Sequence, residues 1–231
     1  MTIVWSPSGD YLERANITRF MRTHGIATYE ELVTRSTEDI EWFWDAVVRD
    51  LAIEFLEPYE RVLDASDGVE WATWFTGGTI NLAGNCVDRW AERTPDAVAV
   101  IWEGEDGEVR RVTYPELRRT ADRLANGLRS LGVARGDAIG IFMPMAPETV
   151  AAVMACAKLG AIFLPIFSGF GAEAVASRLQ DAGAKVVITA DRFLRRGKPV
   201  PMKELADEAS ASSPSVRHVL VWSRLDRKSV V

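Results

Sequence analysis

The chain has two cysteines and two histidines in 231 residues. Cys86 and Cys156 lie 70 positions apart, which leaves no disulfide framework and no Cys-based zinc motif to read. His24 and His218 leave little for metal or general-base chemistry, so neither a metal ligand nor a catalytic residue is assigned. No apolar run approaches the roughly 20 residues of a membrane helix. The longest, Val150 to Phe167, is interrupted by Lys158, Gly160 and Pro165. The opening Met1-Thr2-Ile3-Val4-Trp5 has no basic segment ahead of an apolar one. Secretion is therefore not signalled, and a cytoplasmic location without membrane contact is expected. A net charge of −6 argues against general nucleic-acid binding. No G-x-S-x-G elbow offers a hydrolase nucleophile. No G-x-G-x-x-G opens a helix after a strand, since Gly169-Phe170-Gly171 supplies only its first two glycines. Thr76-Gly77-Gly78-Thr79 lacks the lysine and spacing of a phosphate loop, has no clear strand before it, and reads as a turn.

What is present is an ordinary globular composition, 48% hydrophobic and 26% charged, enough for one large domain or two small ones. The charge is uneven. Residues 30–70 hold 13 Asp/Glu against 3 Arg. Residues 189–203 hold Arg192, Arg195, Arg196, Lys198 and Lys203 against Asp191. Such an island on an acidic chain suits a discrete anionic ligand better than a long polyanion, although solvated loop charges have the same appearance.

The first 70 or so residues read as helical. Asn16 is placed to cap a short helix carrying Ile17, Phe20 and Met21, stopped by Gly25. Thr28-Tyr29-Glu30-Glu31 and Ser36-Thr37-Glu38-Asp39 each read as a capping box. After the second, Ile40, Phe43, Val47 and Leu51 form one apolar helical face, and Pro58 ends the pattern. Six of the eight tryptophans lie at or before position 90. Trp42, Trp44, Trp71 and Trp74 are expected to cement this segment onto a larger body, because aromatics dominate packing area.

From about Asn85 strands alternate with helices. Strands are predicted over 97–102, 109–113, 138–143, 161–166, 185–189 and 218–222. Helices are predicted over 117–131, 148–159, 172–182 and 202–209, with Ser210–Ser215 as a short loop. This alternation indicates an α/β domain with a largely parallel sheet. Ligands in such sheets sit beyond the carboxyl ends of strands, which singles out three segments. Pro144-Met145-Ala146-Pro147-Glu148 reads as helix initiation with a possible amide terminus. Phe167-Ser168-Gly169-Phe170-Gly171 allows close backbone approach and offers a ring for stacking, or is a tight turn with buried Phe. Arg192–Lys198 follows the next predicted strand, so these two segments are expected side by side. A planar ring beside cations suits an adenine nucleotide carrying phosphates.

These residues carry a resemblance. Trp71-Ala72-Thr73-Trp74-Phe75-Thr76-Gly77-Gly78-Thr79-Ile80-Asn81 resembles the opening of the main domain of acetyl-CoA synthetase-like enzymes. Thr113-Tyr114-Pro115-Glu116-Leu117, Met143-Pro144-Met145-Ala146-Pro147-Glu148, Lys158-Leu159-Gly160-Ala161, Pro165–Phe170, Ser177-Arg178-Leu179 and Arg195-Arg196-Gly197-Lys198 follow in the family's order. The chain thus resembles the AMP-forming acyl-CoA synthetases of the adenylate-forming superfamily, from about Trp5 to Trp222. The resemblance implies a ligase that converts carboxylate, ATP and coenzyme A to acyl-CoA, AMP and pyrophosphate. It implies a helical, Trp-rich segment over 1–84, packed on an incomplete first α/β subdomain of the AMP-binding domain over 85–231. The helical segment resembles that of acetyl- and propionyl-CoA synthetases, which implies a short-chain carboxylate. Phe167, Ser168 and Gly169 match the turn near the coenzyme's adenine. Arg195, Arg196, Gly197 and Lys198 match the basic loop near its phosphates. Arg196 stands where acetyl-CoA synthetases usually have a small residue, and Lys198 where Arg is common.

The resemblance ends before the family's phosphate loop, its Mg²⁺ and ribose ligands, its acyl pocket and its mobile C-terminal domain. ATP and Mg²⁺ are therefore expected only for a full-length member, and this chain alone is expected not to form acyl-adenylate. Three functions stay open: an N-terminal fragment of such a synthetase, a non-catalytic module binding coenzyme A or an adenine nucleotide, or an interaction protein docking on a full-length homologue. A homo-oligomer is expected, because an incomplete sheet leaves exposed edges.

Overall fold

The computed structural model describes residues 4–224. The chain forms two compact units, Met1–Ile80 and Asn81–Val231.

The first unit contains α1 (Asp10–Glu13), α2 (Asn16–Thr23), α3 (Tyr29–Glu38) and α4 (Ile40–Asp50), then strands β1 (Arg61–Asp64) and β2 (Thr73–Thr76). Thr28 caps α3 as expected, accepting from the Glu31 N–H, while the Glu31 carboxylate accepts from the Ala27 N–H, one residue before the cap. Asn16 is not a cap: it is the first helical residue, and Ala15 precedes it with no side-chain cap. The second expected box also fails, because Ser36–Glu38 complete α3 and Asp39 caps α4 by accepting from the Trp42 N–H. The helix then ends at Asp50, well before Pro58. Ile40 and Leu51 are exposed. Ala46, Phe43 and Val47 instead face Phe20, Ile26 and Leu32. Trp42 packs on this cluster under the Arg35 guanidinium, 3.5 Å from its ring. Trp44 meets Trp74 edge to face at 6.1 Å. Trp42, Trp44 and Trp74 thus pack within their own unit, whereas Trp71 is 72% exposed. A strand does precede Thr76-Gly77-Gly78-Thr79: β2 pairs antiparallel with β1, and the Gly78 N–H closes a turn on the Phe75 carbonyl.

The second unit opens with a π-helical turn (Gly84–Asp88) running into α5 (Arg89–Arg93). The hairpin of β3 (Val98–Glu103) and β4 (Val109–Thr113) follows, then α6 (Tyr114–Ser130). The α6 start is a reciprocal box, in which the Glu116 carboxylate accepts from the Thr113 N–H at 2.8 Å. Next come β5 (Ala138–Phe142), α7 (Pro147–Leu159), β6 (Ile162–Ile166), α8 (Ala172–Asp181) and β7 (Val186–Ala190). The unit continues with β8 (Phe193–Arg195), β9 (Lys198–Val200), α9 (Met202–Ala211) and β10 (His218–Trp222). The loop expected from Ser210 therefore starts only after α9, and Ser213 within it is buried.

Four strands form one parallel sheet in the order β10-β7-β5-β6. The fold is α/β, as the alternation of elements predicts. β5 and β7 are buried at all five positions, so helices cover both faces of the central strands. Gly140 on β5 lets α8 approach: a Cβ there would lie 2.6 Å from Leu179 Cδ2. Pro165 sits on β6, which pairs on one side only among the described residues, the kind of edge position where a proline is tolerated. A second cluster of Val87, Leu117 and Ala151 joins the β3–β4 hairpin to α6 and α7. Lys158, largely buried, ties the same region together through Asp88 at 2.6 Å and Asp122 at 2.9 Å.

Candidate functional site

β6 delivers Phe167 at its carboxyl end. The Phe170 N–H donates to the Phe167 carbonyl at 3.0 Å, closing a turn with Ser168 and Gly169 at its centre. Phe167 is 57% exposed, not buried, and stands edge-on to Phe170 with centroids 5.5 Å apart. Arg178, from α8, lies over Phe170 at 4.3 Å. A pair of rings is thus placed beside the Arg178 guanidinium, with one ring open to solvent.

The basic segment is a hairpin rather than an open loop. β8 and β9 pair with Arg195 opposite Lys198, and Arg196 and Gly197 form the two-residue turn. Their φ values, 53° and 71°, are those of a type I′ turn, which matches the twist of paired strands. Gly197 suits its position, whereas Arg196 is an uncommon occupant of the left-handed region. The hairpin is anchored at its base by Asp191, which is buried and accepts at Oδ1 from the Arg192 and Arg224 N–H groups. Phe193 is buried beside it. Of the five basic residues in this stretch, Arg192 and Lys203 face acids of α9, Glu204 and Asp207. Arg195, Arg196 and Lys198 at the turn are exposed, with no ion pair among the described residues.

The two segments meet, though not for the expected reason. β6 and β7 are not neighbours, because β5 lies between them. The hairpin and the Arg195 side chain span that gap. The Arg195 guanidinium lies 5.7 Å from the Phe167 ring centre. A Cβ at Gly169 would fall 2.7 Å from Arg195 Nη1 and 2.5 Å from Phe167 Cε1. Gly169 therefore provides the space in which cation and ring come together.

Sequence reasoning missed one participant. Glu105, in the β3–β4 turn, accepts from the Arg196 N–H at 2.9 Å and from the Gly197 N–H at 3.0 Å. These two bonds, with the nearby Arg195 charge, hold its carboxyl below the usual range. No local pattern signals a contact across 91 residues. Pro144–Glu148 begins α7, as helix initiation predicts, and Glu148 is buried in an ion pair with Arg110 at 2.8 Å.

The arrangement offers an exposed ring face and three exposed cationic side chains, and Cys156 lies apart from it in the core. Burial pushes the Cys156 thiol up to about 12, and a thiol so protonated is a poor nucleophile. Among the described residues no three His, Cys, Asp or Glu side chains cluster as a metal site. Nor is any helix there long and apolar enough to cross a membrane.

Residues 87–229 match the AMP-binding enzyme family, and residues 29–86 match the acetyl-coenzyme A synthetase N-terminus. The chain belongs to the AMP-binding enzyme family. Within that family it is similar to acetyl-coenzyme A synthetase of Chromobacterium violaceum, 43% identical over 222 residues, which are 95% of this chain and 33% of that protein. It is also 45% identical over 187 residues to the human mitochondrial acetyl-coenzyme A synthetase 2-like protein, covering 80% of this chain and 27% of the relative. Acetoacetyl-CoA synthetase from Streptomyces lividans has the same fold over 98% of this chain and 36% of its own, with a TM-score of 0.89 and 31% identity. The chain thus spans about a third of the length of the relatives it matches, and the match is to their N-terminal part.

Proposed function

We propose that this chain is the coenzyme-binding N-terminal part of a cytoplasmic, AMP-forming short-chain acyl-CoA synthetase. The observation that carries the reading is the convergence of the Phe167 ring and the Arg195 guanidinium over Gly169. The exposed ring offers a stacking face for the adenine of coenzyme A. Arg195, Arg196 and Lys198 offer charge-assisted hydrogen bonds to its phosphates. Arg195 and Arg196 present planar forks and Lys198 a point charge, so the two arginines contribute more of the geometric selectivity.

In this reading ATP, Mg²⁺ and the carboxylate are handled by the remaining two-thirds of a full-length relative. The sequence carries no glycine loop with the lysine and spacing of a phosphate cradle, and among the described residues no three His, Cys, Asp or Glu side chains cluster to hold a metal ion. The chain alone, given acetate, ATP, Mg²⁺ and coenzyme A, is expected to release no pyrophosphate above background. Calorimetry is expected to give weak coenzyme A binding, with dephospho-coenzyme A weaker still. Loss of one charge-assisted contact at an exposed site costs on the order of 1 kcal/mol, several-fold in affinity. Equal affinities for the two forms would remove the phosphate role. No binding of either would remove the coenzyme reading, and substrate-dependent pyrophosphate release would overturn the division of labour.

A second reading, docking on a full-length homologue or on another copy, is favoured by one observation. Leu124, Met143, Ala151, Ile188, Leu220 and Trp222 line an apolar groove of about 450 Å³. Both sheet edges, β6 and β10, also pair on one side only among the described residues. Light scattering that finds a dimer or larger species would support this reading, and a clean monomer at high concentration would count against it.

A further inference from the structure

In a type I′ turn the two central N–H groups take no part in the hairpin ladder. They point outward together and form a small anion-binding concavity. At the tip of a basic hairpin, that concavity would be the natural seat for a phosphate. Here it is already filled. Glu105 presents one carboxylate oxygen to each amide, Oε1 to Arg196 and Oε2 to Gly197, at 2.9 Å and 3.0 Å.

Glu105 comes from a firmly built turn. Gly104 donates to the Glu108 carbonyl at 2.8 Å, Gly107 donates to the Gly104 carbonyl at 3.0 Å, and Asp106 accepts from the Glu108 N–H at 3.1 Å. The carboxylate is thus held on one rigid hairpin and grips the tip of another. What it grips includes Arg196, a side-chain-bearing residue at φ 53°, a conformation that needs support from its surroundings. Next to the turn, the Arg195 side chain lies against Gly169 and Phe167.

We infer that Glu105 is a positioning residue of the coenzyme site: it closes the amide concavity of the β8–β9 turn, so that phosphate groups are read by the Arg195, Arg196 and Lys198 side chains and not by the backbone. The inference rests on the coenzyme reading above for its ligand, and on geometry alone for the lock. It runs against simple electrostatics, because a fixed negative charge beside a phosphate site opposes anion binding. The sign of a substitution therefore separates the possibilities. Glu105→Gln keeps the size, removes the charge and turns one accepting oxygen into an NH2 group, so it can no longer present one oxygen to each amide.

Two measurements on the full chain decide it. The first is amide hydrogen exchange by NMR without ligand. Arg196 and Gly197 are expected to exchange at least about tenfold faster in E105Q than in the unmodified chain, as freed turn amides do. Distant β5 and β7 amides should stay unchanged, which also establishes that the variant is folded. Equal exchange at Arg196 and Gly197 would refute the lock. The second is calorimetric titration with coenzyme A and with dephospho-coenzyme A. A positioning role predicts coenzyme A binding about 5-fold weaker in E105Q, with the preference over the dephospho form reduced, because the charged side chains lose their fixed placement. If Glu105 were only a nearby repulsive charge, or a plug that phosphate displaces, E105Q would bind about 2-fold tighter or better, and the positioning role would fall. Should the unmodified chain bind neither form, the coenzyme reading fails by itself, and the exchange experiment still accepts or refutes the lock.

Discussion

Replacing Gly169 with alanine tests the meeting point of the two segments. The new methyl would sit 2.5 Å from Phe167 Cε1 and 2.7 Å from Arg195 Nη1, closer than heavy atoms tolerate. Both atoms are tips of exposed side chains, so relief comes from swinging them outward and not from moving backbone. The stability change is small on two opposed counts. Losing the Arg195–Phe167 contact costs about 0.5–1 kcal/mol. Removing a glycine from the unfolded chain returns about 0.4–1 kcal/mol. The midpoint of thermal unfolding should therefore move by no more than about 4 °C in a unit of this size. Ligand binding should suffer more. A displaced Arg195 forfeits a charge-assisted contact worth roughly 1 kcal/mol at an exposed position, about 5-fold in affinity for coenzyme A. Thermal melts and calorimetry on one preparation read both numbers. A midpoint lowered by more than about 10 °C would mean that Gly169 packs into the fold. An unchanged coenzyme A affinity would mean that Arg195 and Phe167 do not act together.

Gly140→Ala should destabilise the chain by about 1–3 kcal/mol in urea unfolding, because its methyl meets Leu179 at 2.6 Å in the sheet centre. Leu179→Ala should cost about 2–5 kcal/mol, and the double substitution less than the sum, since the second change makes room for the first. A maleimide reagent should label Cys86 alone in the native chain and both thiols in denaturant, because Cys156 is fully buried with its thiol pushed up to about 12; native labelling of both would contradict the packing of α7. The Lys185 ammonium, helped by the Ala134 N–H, lowers the Asp137 carboxyl from its usual 3.8. A folded value below the unfolded one means that its contribution is present above the usual value and is lost as pH falls through the lowered one. Asp137→Asn should therefore reduce stability near neutrality and flatten the acid limb of a stability–pH curve; an unaltered curve would deny the pair any role.

Period and punctuation made most of the second unit legible. Leu117, Ala121 and Leu128 recur at helical spacing and are buried along α6, with Gly132 at φ 83° just past its end. The runs that became β5 and β7 are continuous and apolar, as strands covered on both faces must be. Errors fell where short polar residues compete for one role. Ser36, Thr37 and Asp39 all suit a cap, and only the packing of α3 and α4 on Phe20, Ile26 and Leu32 chose Asp39. Ile40 and Leu51 fit the helical period yet are exposed, because the helix turned Ala46 to its neighbours instead.

By itself the sequence determined an α/β domain behind a helical, Trp-rich segment, and it marked Phe167–Gly171 and Arg192–Lys198 as the strand-end segments of interest. Those are local properties of hydrophobic period, turn chemistry and charge, which neighbouring residues carry. It did not determine strand order, so it could not show that β5 separates β6 from β7. Nor did it reveal that a hairpin brings Arg195 back across that gap to Gly169. The Glu105 carboxylate on the amides of Arg196 and Gly197 was beyond it for the same reason. Such contacts join residues tens of positions apart, and they exist only after the sheet has set the positions of the loops it carries.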